Sequence, residues 1–356
     1  MMAPKKPLPR TIEELTPAWL NEALQERCPG IRVTALTFDH IIPGTTSKIL
    51  MDVQYEGGAQ YGMPHKLCVK GEFDEGSRQA LSAMTTTGTQ IEAAFFNDLA
   101  PRLGLPLPRH WYGGSEPGMG ILALDNLAVQ HYRFGTPTEA WAPELVAKAL
   151  DILAILHGST WDQRFPEIEW LTVGSTGVRQ AGEMLMSSAH WQNHFEHPEA
   201  YTMPAALKDN LRILEGYRAM WRFDDAHAHC VIHGDAHVGN TCISPEGQPF
   251  FIDWAGPSYS HWGIDVPYFM IGALTVEDRR AHERELFNHY LDRLVAHGAP
   301  AQDRSEAWDD YRRHAIHGLM WATLPPQLQS RANSLAMGER FTSAVIDHDS
   351  LKLLGV

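Results

Sequence analysis

Apolar and polar positions change their period several times along this chain. From Ile31 to Phe73 the pattern is that of strands. Ile31–Ile42, Ser47–Tyr55 and His65–Phe73 are separated by Pro43-Gly44 and Gly57-Gly58, which predicts a three-strand antiparallel meander. Ahead of it, Thr11-Ile-Glu-Glu14 has capping-box spacing and predicts a helix to about Arg27, stopped by Cys28-Pro29-Gly30. Residues 1–10 read as a loose Pro-rich arm. After Thr86-Thr87-Gly88 the period lengthens, with Glu92 followed by Phe95, Leu99 and Leu103 on one face and Gly104 as the stop. Two extended stretches follow, Leu105–Gly113 and Met119–Leu127. Beyond them the chain reads as helical. Pro137–Trp161 carries Leu145, Ala149, Ile152, Leu153 and Leu156 at helical spacing, and further helices are predicted at 205–222, 262–274, 277–297 and 304–322.

One stretch breaks the helical run: His229–Trp254, HCVIHGDAHVGNTCISPEGQPFFIDW. A strand leads into a tight turn at His233-Gly234-Asp235. Thr241–Ser244 and Pro249–Ile252 flank a Pro-Glu-Gly-Gln turn and read as a hairpin. Such a hairpin would bring Asp235, Asn240 and Asp253 to one end. An acid able to accept a hydroxyl proton, an amide and a second carboxylate are all oxygen donors and would suit Mg²⁺ bound to phosphate. His233 and His237 stand four apart, but Gly234 and Gly239 argue against a zinc-binding helix there, and no H-E-x-x-H is present.

The order H-G-D-x-x-x-x-N followed by the Asp of I-D-W parallels the H-R-D-x-x-x-x-N and metal-binding Asp of protein kinases, with Gly in place of Arg. It resembles the aminoglycoside phosphotransferase/choline kinase superfamily. His261–Leu294 is similar to the matching part of bacterial phosphotransferases related to ecdysteroid kinases, and the resemblance spans roughly residues 40–325. It implies an α+β, bilobal protein-kinase-like fold, with a small antiparallel-sheet N-lobe (1–127) and a larger, mainly helical C-lobe (128–356). It also implies ATP- and Mg²⁺-dependent phosphate transfer to an alcohol group of a small molecule. Asp235 would accept or orient the substrate's hydroxyl proton, and Asn240 and Asp253 would hold Mg²⁺.

In the same resemblance Lys70, within Leu67-Cys-Val-Lys-Gly71, would hold the phosphates and pair with Glu92. Taken alone, Lys70 could equally face solvent on an edge strand, and Glu92 could be a surface charge. The turn carrying Gly44, Thr45, Thr46 and Ser47 would cover the phosphates; it is no Walker A, having one Gly and Ile49 after Lys48. Met119–Leu127 is similar to the inter-lobe connector whose backbone faces adenine, which puts Asp125 and Leu127 on the nucleotide side. Asp265 would tie a helix start to the catalytic loop, and His233 would brace that loop. His157, in L-H-G-S-T-W, would pack, and the role of His237 is open.

Composition narrows the partners. At 356 residues there is room for two lobes, and 44% hydrophobic against 20% charged residues suits a soluble protein. A net charge of −14 disfavours nucleic acid and anionic membranes. Four scattered cysteines (Cys28, Cys68, Cys230, Cys242) form no C-x-x-C and read as reduced cytosolic thiols. Neither a signal peptide nor a membrane-spanning run is visible, so a cytoplasmic location is expected. No dense acidic cluster marks the second lobe. Trp191, Phe195, Trp254, Tyr259, Trp262 and Tyr268 suit a lipophilic hydroxylated acceptor, sterol-like, phenolic or hydroxyacyl. An aminoglycoside, a macrolide or an amino-alcohol is the alternative, and a nucleotide-binding pseudokinase-like module is a rival of another class. His190, His194 and His197 could bind a metal, as in a hydrolase, or could face solvent on a lid helix.

Overall fold

The strand period between Ile31 and Phe73 is realised as β1 (Arg32–Ile42), β2 (Ser47–Glu56) and β3 (Lys66–Gly71). The computed structural model describes residues 7–42, 46–73, 82–174, 176–196, 201–326 and 328–356. The turn residues Gly44 and Thr45, and His197, lie outside the described residues. The chain divides into a sheet unit, Met1–Arg133 with Ile252–Ala255, and a helical unit, Phe134–Phe251 with Gly256–Val356.

The sheet unit opens with α1 (Pro17–Leu24), not with a helix from Thr11. Thr11 makes no side-chain cap, and Ile12–Glu14 is a lone 3-10 turn. Pro17, which lacks an N–H, cannot continue that turn and takes the first position of a new helix, capped by Thr16. α2 (Ser82–Ala94) starts before Gly88 rather than after it. A Cβ at Gly88 would meet only Ala255 Cβ at 3.4 Å, so packing, not propensity, carries the helix through the glycine. β4 (His110–Glu116) starts later than its apolar run, because Pro106 and Pro108 have no ladder donor. With β5 (Met119–Asp125) the five strands pair antiparallel in the order β1-β2-β3-β5-β4. Alternate positions on β2 (Ile49, Met51, Val53) and β3 (Leu67, Val69) pack with Trp19, Leu20 and Leu24 of α1.

The helical unit runs through α3 (Pro143–Ser159), α4 (Thr176–Leu185), α5 (Ser188–Phe195) and α6 (Asn210–Ala226). β6 (Cys230–Ile232) follows, and β7 (Thr241–Ile243) pairs with β8 (Pro249–Phe251) as the predicted hairpin. β9 (Ser258–Ser260) returns beside β6. Next come α7 (Val266–Ala273), α8 (Val276–Ala296), α9 (Arg304–His314) and α10 (Arg331–Asp347). Every residue of α7 is buried, as expected of a helix apolar on all sides. The run predicted over 304–322 ends as a helix at His314 and goes on as a 3-10 segment, Ala315–Thr323. α10 was not anticipated, since its buried face includes Ser334, Gly338 and Thr342 and so lacks a clear apolar stripe. Among the described residues no helix is long and apolar enough to cross a membrane.

Gly318, in the 3-10 segment, is where a glycine is sterically required. A Cβ there would lie 2.1 Å from the Phe341 ring. Gly318→Ala should therefore cost about 1–3 kcal/mol by overpacking, read as a lower urea midpoint; an unchanged midpoint would show that Phe341 moves freely aside.

Candidate active site

In the sheet unit the ladder register sets Lys70 opposite Lys48 on one side and Leu122 on the other. The Lys70 ammonium is buried and bonds Glu92 Oε2 at 2.5 Å and Asp253 Oδ1 at 3.0 Å. Lys70 is thus not a solvent-facing edge residue, and Glu92 is not a surface charge. Burial works against the charged ammonium, but the carboxylates of Asp253 and Glu92 outweigh it and raise its pKa. Glu92 is pushed up by burial, against the pull of Lys70. The Trp254 backbone N–H donates to Glu92 at 3.3 Å, and its ring stacks on Phe95 at 4.2 Å. These bonds explain why Ile252–Ala255 group with the sheet. Asp253 has φ +65°, in the left-handed region, and its side chain is about one-third exposed (35%).

The other expected nucleotide residues are distributed as follows. Thr46 and Thr89 share a hydroxyl hydrogen bond of 3.0 Å, and Ser47 pairs with Gly71 in the ladder. The Asp125 carboxylate accepts from Trp111 Nε1 at 2.7 Å, so its side chain is engaged on the sheet. Asn126 caps the 3-10 turn that starts at Leu127.

In the helical unit the H-G-D turn hangs on Asp265. This residue precedes α7 but makes no side-chain cap there. Its carboxylate accepts from the backbone N–H of His233 at 2.6 Å and of Gly234 at 3.0 Å. It also lies 3.1 Å from His157 Nε2, whose Nδ1 is 2.8 Å from the Tyr290 hydroxyl. All of this is buried. Burial alone would raise the Asp265 pKa, but hydrogen bonding and charge from His157, joined by His233, hold it below the ordinary value. His233 Nδ1 accepts the Asp235 N–H at 3.2 Å. Gly234 has φ +82°, and a Cβ there would fall 2.1 Å from the Gly256 carbonyl oxygen, so the turn admits no other residue.

Asp235 itself is about half exposed (side chain 48%). Asn240 Nδ2 donates to its Oδ2 at 2.9 Å and to its backbone oxygen at 3.0 Å. Because both partners accept only, the amide nitrogen is the atom aimed at Asp235. Tyr268 O–H donates to Asp235 Oδ1 at 3.4 Å and accepts from Trp321 Nε1 at 2.8 Å. His237 Nε2 lies 3.7 Å from Asp235 Oδ2, while its Nδ1 accepts from Gly239 N–H at 3.0 Å. Tyr268 was expected as an aromatic lining residue. Trp321 was missed, since nothing in its local sequence pointed to Asp235. Asn240 and Asp253 offer the hard oxygen donors that Mg²⁺ takes.

Of the remaining aromatics, Trp254, Tyr259 and Trp262 are core residues. His190 and His194 are half-buried. Their Nε2 atoms lie 2.7 Å and 3.0 Å from the carbonyls of Thr323 and Ala322, respectively. Together with Tyr201, Ala322, Leu324 and Leu335 they line a mostly apolar cavity of about 340 Å³ within the helical unit.

The fold is that of the protein-kinase-like phosphotransferases, and the class it defines with this site is that of the small-molecule kinases. A family profile described as ecdysteroid kinase-like matches residues 103–301, more than half of the chain. The chain belongs to the ecdysteroid kinase-like family. Among solved structures it is similar to the choline kinase LicA from Streptococcus pneumoniae, 14% identical, with 92% of this chain and 98% of that one covered at a TM-score of 0.50. A spectinomycin phosphotransferase bound to AMP is 14% identical over 96% of this chain and 99% of that one, with a TM-score of 0.49. An ethanolamine kinase from Plasmodium vivax is 12% identical over 89% and 83%, with a TM-score of 0.48. No curated protein sequence matches.

The buried Asp265 gives a pH-dependent test. Because its folded pKa is lowered, its contribution to stability is present above the ordinary Asp value of 3.8 and is lost as pH falls through the folded value. An amide can accept at one atom only and sets an N–H against the other donor. Asp265→Asn should therefore lose about 1–3 kcal/mol at neutral pH, and the gap to wild type should close only at strongly acid pH. Urea denaturation at both pH values would check this; equal stability at neutral pH would deny Asp265 its bracing role.

Proposed function

We propose that this protein transfers the γ-phosphate of ATP to a hydroxyl group of a lipophilic small molecule, of sterol-like, phenolic or hydroxyacyl type. The observation that carries the reading is the Asp235 carboxylate, solvent-accessible yet held by Asn240 and Tyr268 on a loop braced from within. Asp235 orients the acceptor hydroxyl and takes its proton at a carboxylate oxygen. Asn240 fixes that carboxylate through its Nδ2. Lys70, kept charged by Glu92 and Asp253, presents a positive group to the phosphates. ATP bound with Mg²⁺ supplies the phosphoryl group and the charge compensation, with Asn240 and Asp253 as the oxygen donors to the ion. The sheet unit takes the nucleotide, through Thr46, Ser47 and the backbone near Asp125 and Leu127. Gly44 and Thr45 are assigned to the same turn on the sequence resemblance.

The acceptor class rests on two supports. The family name points to a steroid alcohol, and the apolar cavity in the helical unit has room for apolar ligand bulk. Four free thiols, three of them, Cys28, Cys230 and Cys242, fully buried, fit a reducing cytoplasm.

The test is a phosphate-transfer screen with ATP and Mg²⁺ against sterols, phenols, hydroxyacyl compounds, aminoglycosides, macrolides and amino-alcohols, scored by mass. A phosphorylated lipophilic alcohol is expected, and Asp235→Asn should cut its turnover about a hundred- to ten-thousandfold. Phosphorylation of an antibiotic or amino-alcohol alone would replace the acceptor class. Near-normal turnover in Asp235→Asn, or no binding of ATP with Mg²⁺, would sink the reading itself.

A further inference from the structure

Tyr268 and Trp321 are joined to Asp235 by hydrogen bonds whose direction the chemistry fixes. An indole Nε1–H can only donate, so at 2.8 Å the Trp321 ring claims an acceptor position of the Tyr268 oxygen. The Tyr268 hydrogen is then left for its other neighbour, Asp235 Oδ1 at 3.4 Å. Tyr268 is buried and sits on the fully buried α7, whose N-terminal neighbour Asp265 holds the turn carrying Asp235. One short element therefore grips that turn from two sides, at the backbone through Asp265 and at the carboxylate through Tyr268. The His237 ring packs edge-on against both aromatics, 5.8 Å from Tyr268 and 5.0 Å from Trp321.

We infer that Tyr268, with its proton directed by Trp321, is a positioning residue that fixes one oxygen of Asp235 so that the other faces the acceptor hydroxyl. Both Asn240 contacts come from one amide nitrogen and reach Oδ2 and the backbone oxygen, whereas Tyr268 reaches the other carboxylate oxygen, Oδ1. Tyr268 supplies the second point. The 3.4 Å separation is long for an O–H to carboxylate bond, as catalytic bonds often are before substrate closes the site. The inference rests on the kinase reading of Asp235.

The test uses the full chain and its basal hydrolysis of ATP with Mg²⁺, which needs no identified acceptor. Tyr268→Phe keeps the ring and removes the hydrogen. It should lower kcat roughly ten- to a hundredfold, the worth of one hydrogen bond to a charged group, with KM for ATP and thermal midpoint held. Trp321→Phe should lower kcat less. The double variant should be no slower than Tyr268→Phe, because Trp321 acts through Tyr268. Combined with Asp235→Ala, Tyr268→Phe should add nothing. Wild-type kcat in Tyr268→Phe, multiplied effects in the double variant, or a further loss on the Asp235→Ala background would each overturn the relay. Wild-type hydrolysis no faster than that of Asp235→Ala would overturn the kinase reading and take the relay with it.

Discussion

Asp265 has no access to water and makes no cap for the helix it precedes, and that combination frees its carboxylate for the H-G-D turn. Two backbone N–H groups and one imidazole converge on it. A buried carboxylate without partners would be expelled or neutralised; with these it stays ionised and fixes the backbone on either side of Gly234. The partners come from α3, through His157, and from the turn itself, so the constraint binds the start of α7, one helix and one loop into a unit. Asp235 can then stand half in solvent without losing its orientation. Its backbone is set by a charge it never touches.

The sheet unit solves the complementary problem, holding a positive charge in place. Lys70 is buried between two carboxylates, one fully buried and one partly exposed. Glu92 is locked by the Trp254 N–H as well as by the ammonium, so it offers little capacity for anything else. Asp253 keeps more contact with water, and its left-handed backbone turns it away from the path of an ordinary strand. The cluster therefore carries one negative charge more than it neutralises, on its exposed member. An ion pair built only for stability would gain more from a single well-packed carboxylate, since each buried charge is costly to desolvate.

Much of this was legible because the decisive residues act close to where they stand in sequence. The strands ending near Gly71 and Asp125, the turn at Gly234 and the β7–β8 hairpin follow from local period and turn chemistry. Lys70 stood out as a charge inside an apolar strand, but its pairing with Glu92 was legible only through the family resemblance, since either residue alone could have been a surface charge. Legibility failed where a distant packing partner decided the outcome. Gly88 reads as the residue before a helix start but sits inside α2, and α10 buries Ser334 and Thr342 where an apolar stripe would be sought. Trp321 was invisible as a site residue for the same reason, because its hydrogen-bond partner, Tyr268, is 53 positions away.

Histidines show most clearly why spacing and even proximity are insufficient. His190 and His194, one helical turn apart, suggest a metal site, yet each places Nε2 on a carbonyl of the 3-10 segment. Asp224, His261 and His314 lie far apart in sequence, and one potential ligand atom from each falls within 4.8 Å of the others. Hydrogen-bond direction argues against ligation there. His261 Nδ1 accepts the Gly263 N–H at 3.0 Å, and burial pushes its pKa down to about 4. In the neutral ring its Nε2 must then carry the hydrogen, facing Asp310 at 3.5 Å. A nitrogen bearing hydrogen has no lone pair to give a metal. The cluster is instead a packed brace, with His314 Nε2 on Asp224 at 2.7 Å, its Nδ1 on the Asp310 carbonyl at 2.6 Å, and the His261 ring stacked on it at 5.1 Å. The rule that assigns this cluster to the framework is the one that points the Tyr268 hydrogen at Asp235: a donor-only neighbour decides which way the shared proton lies.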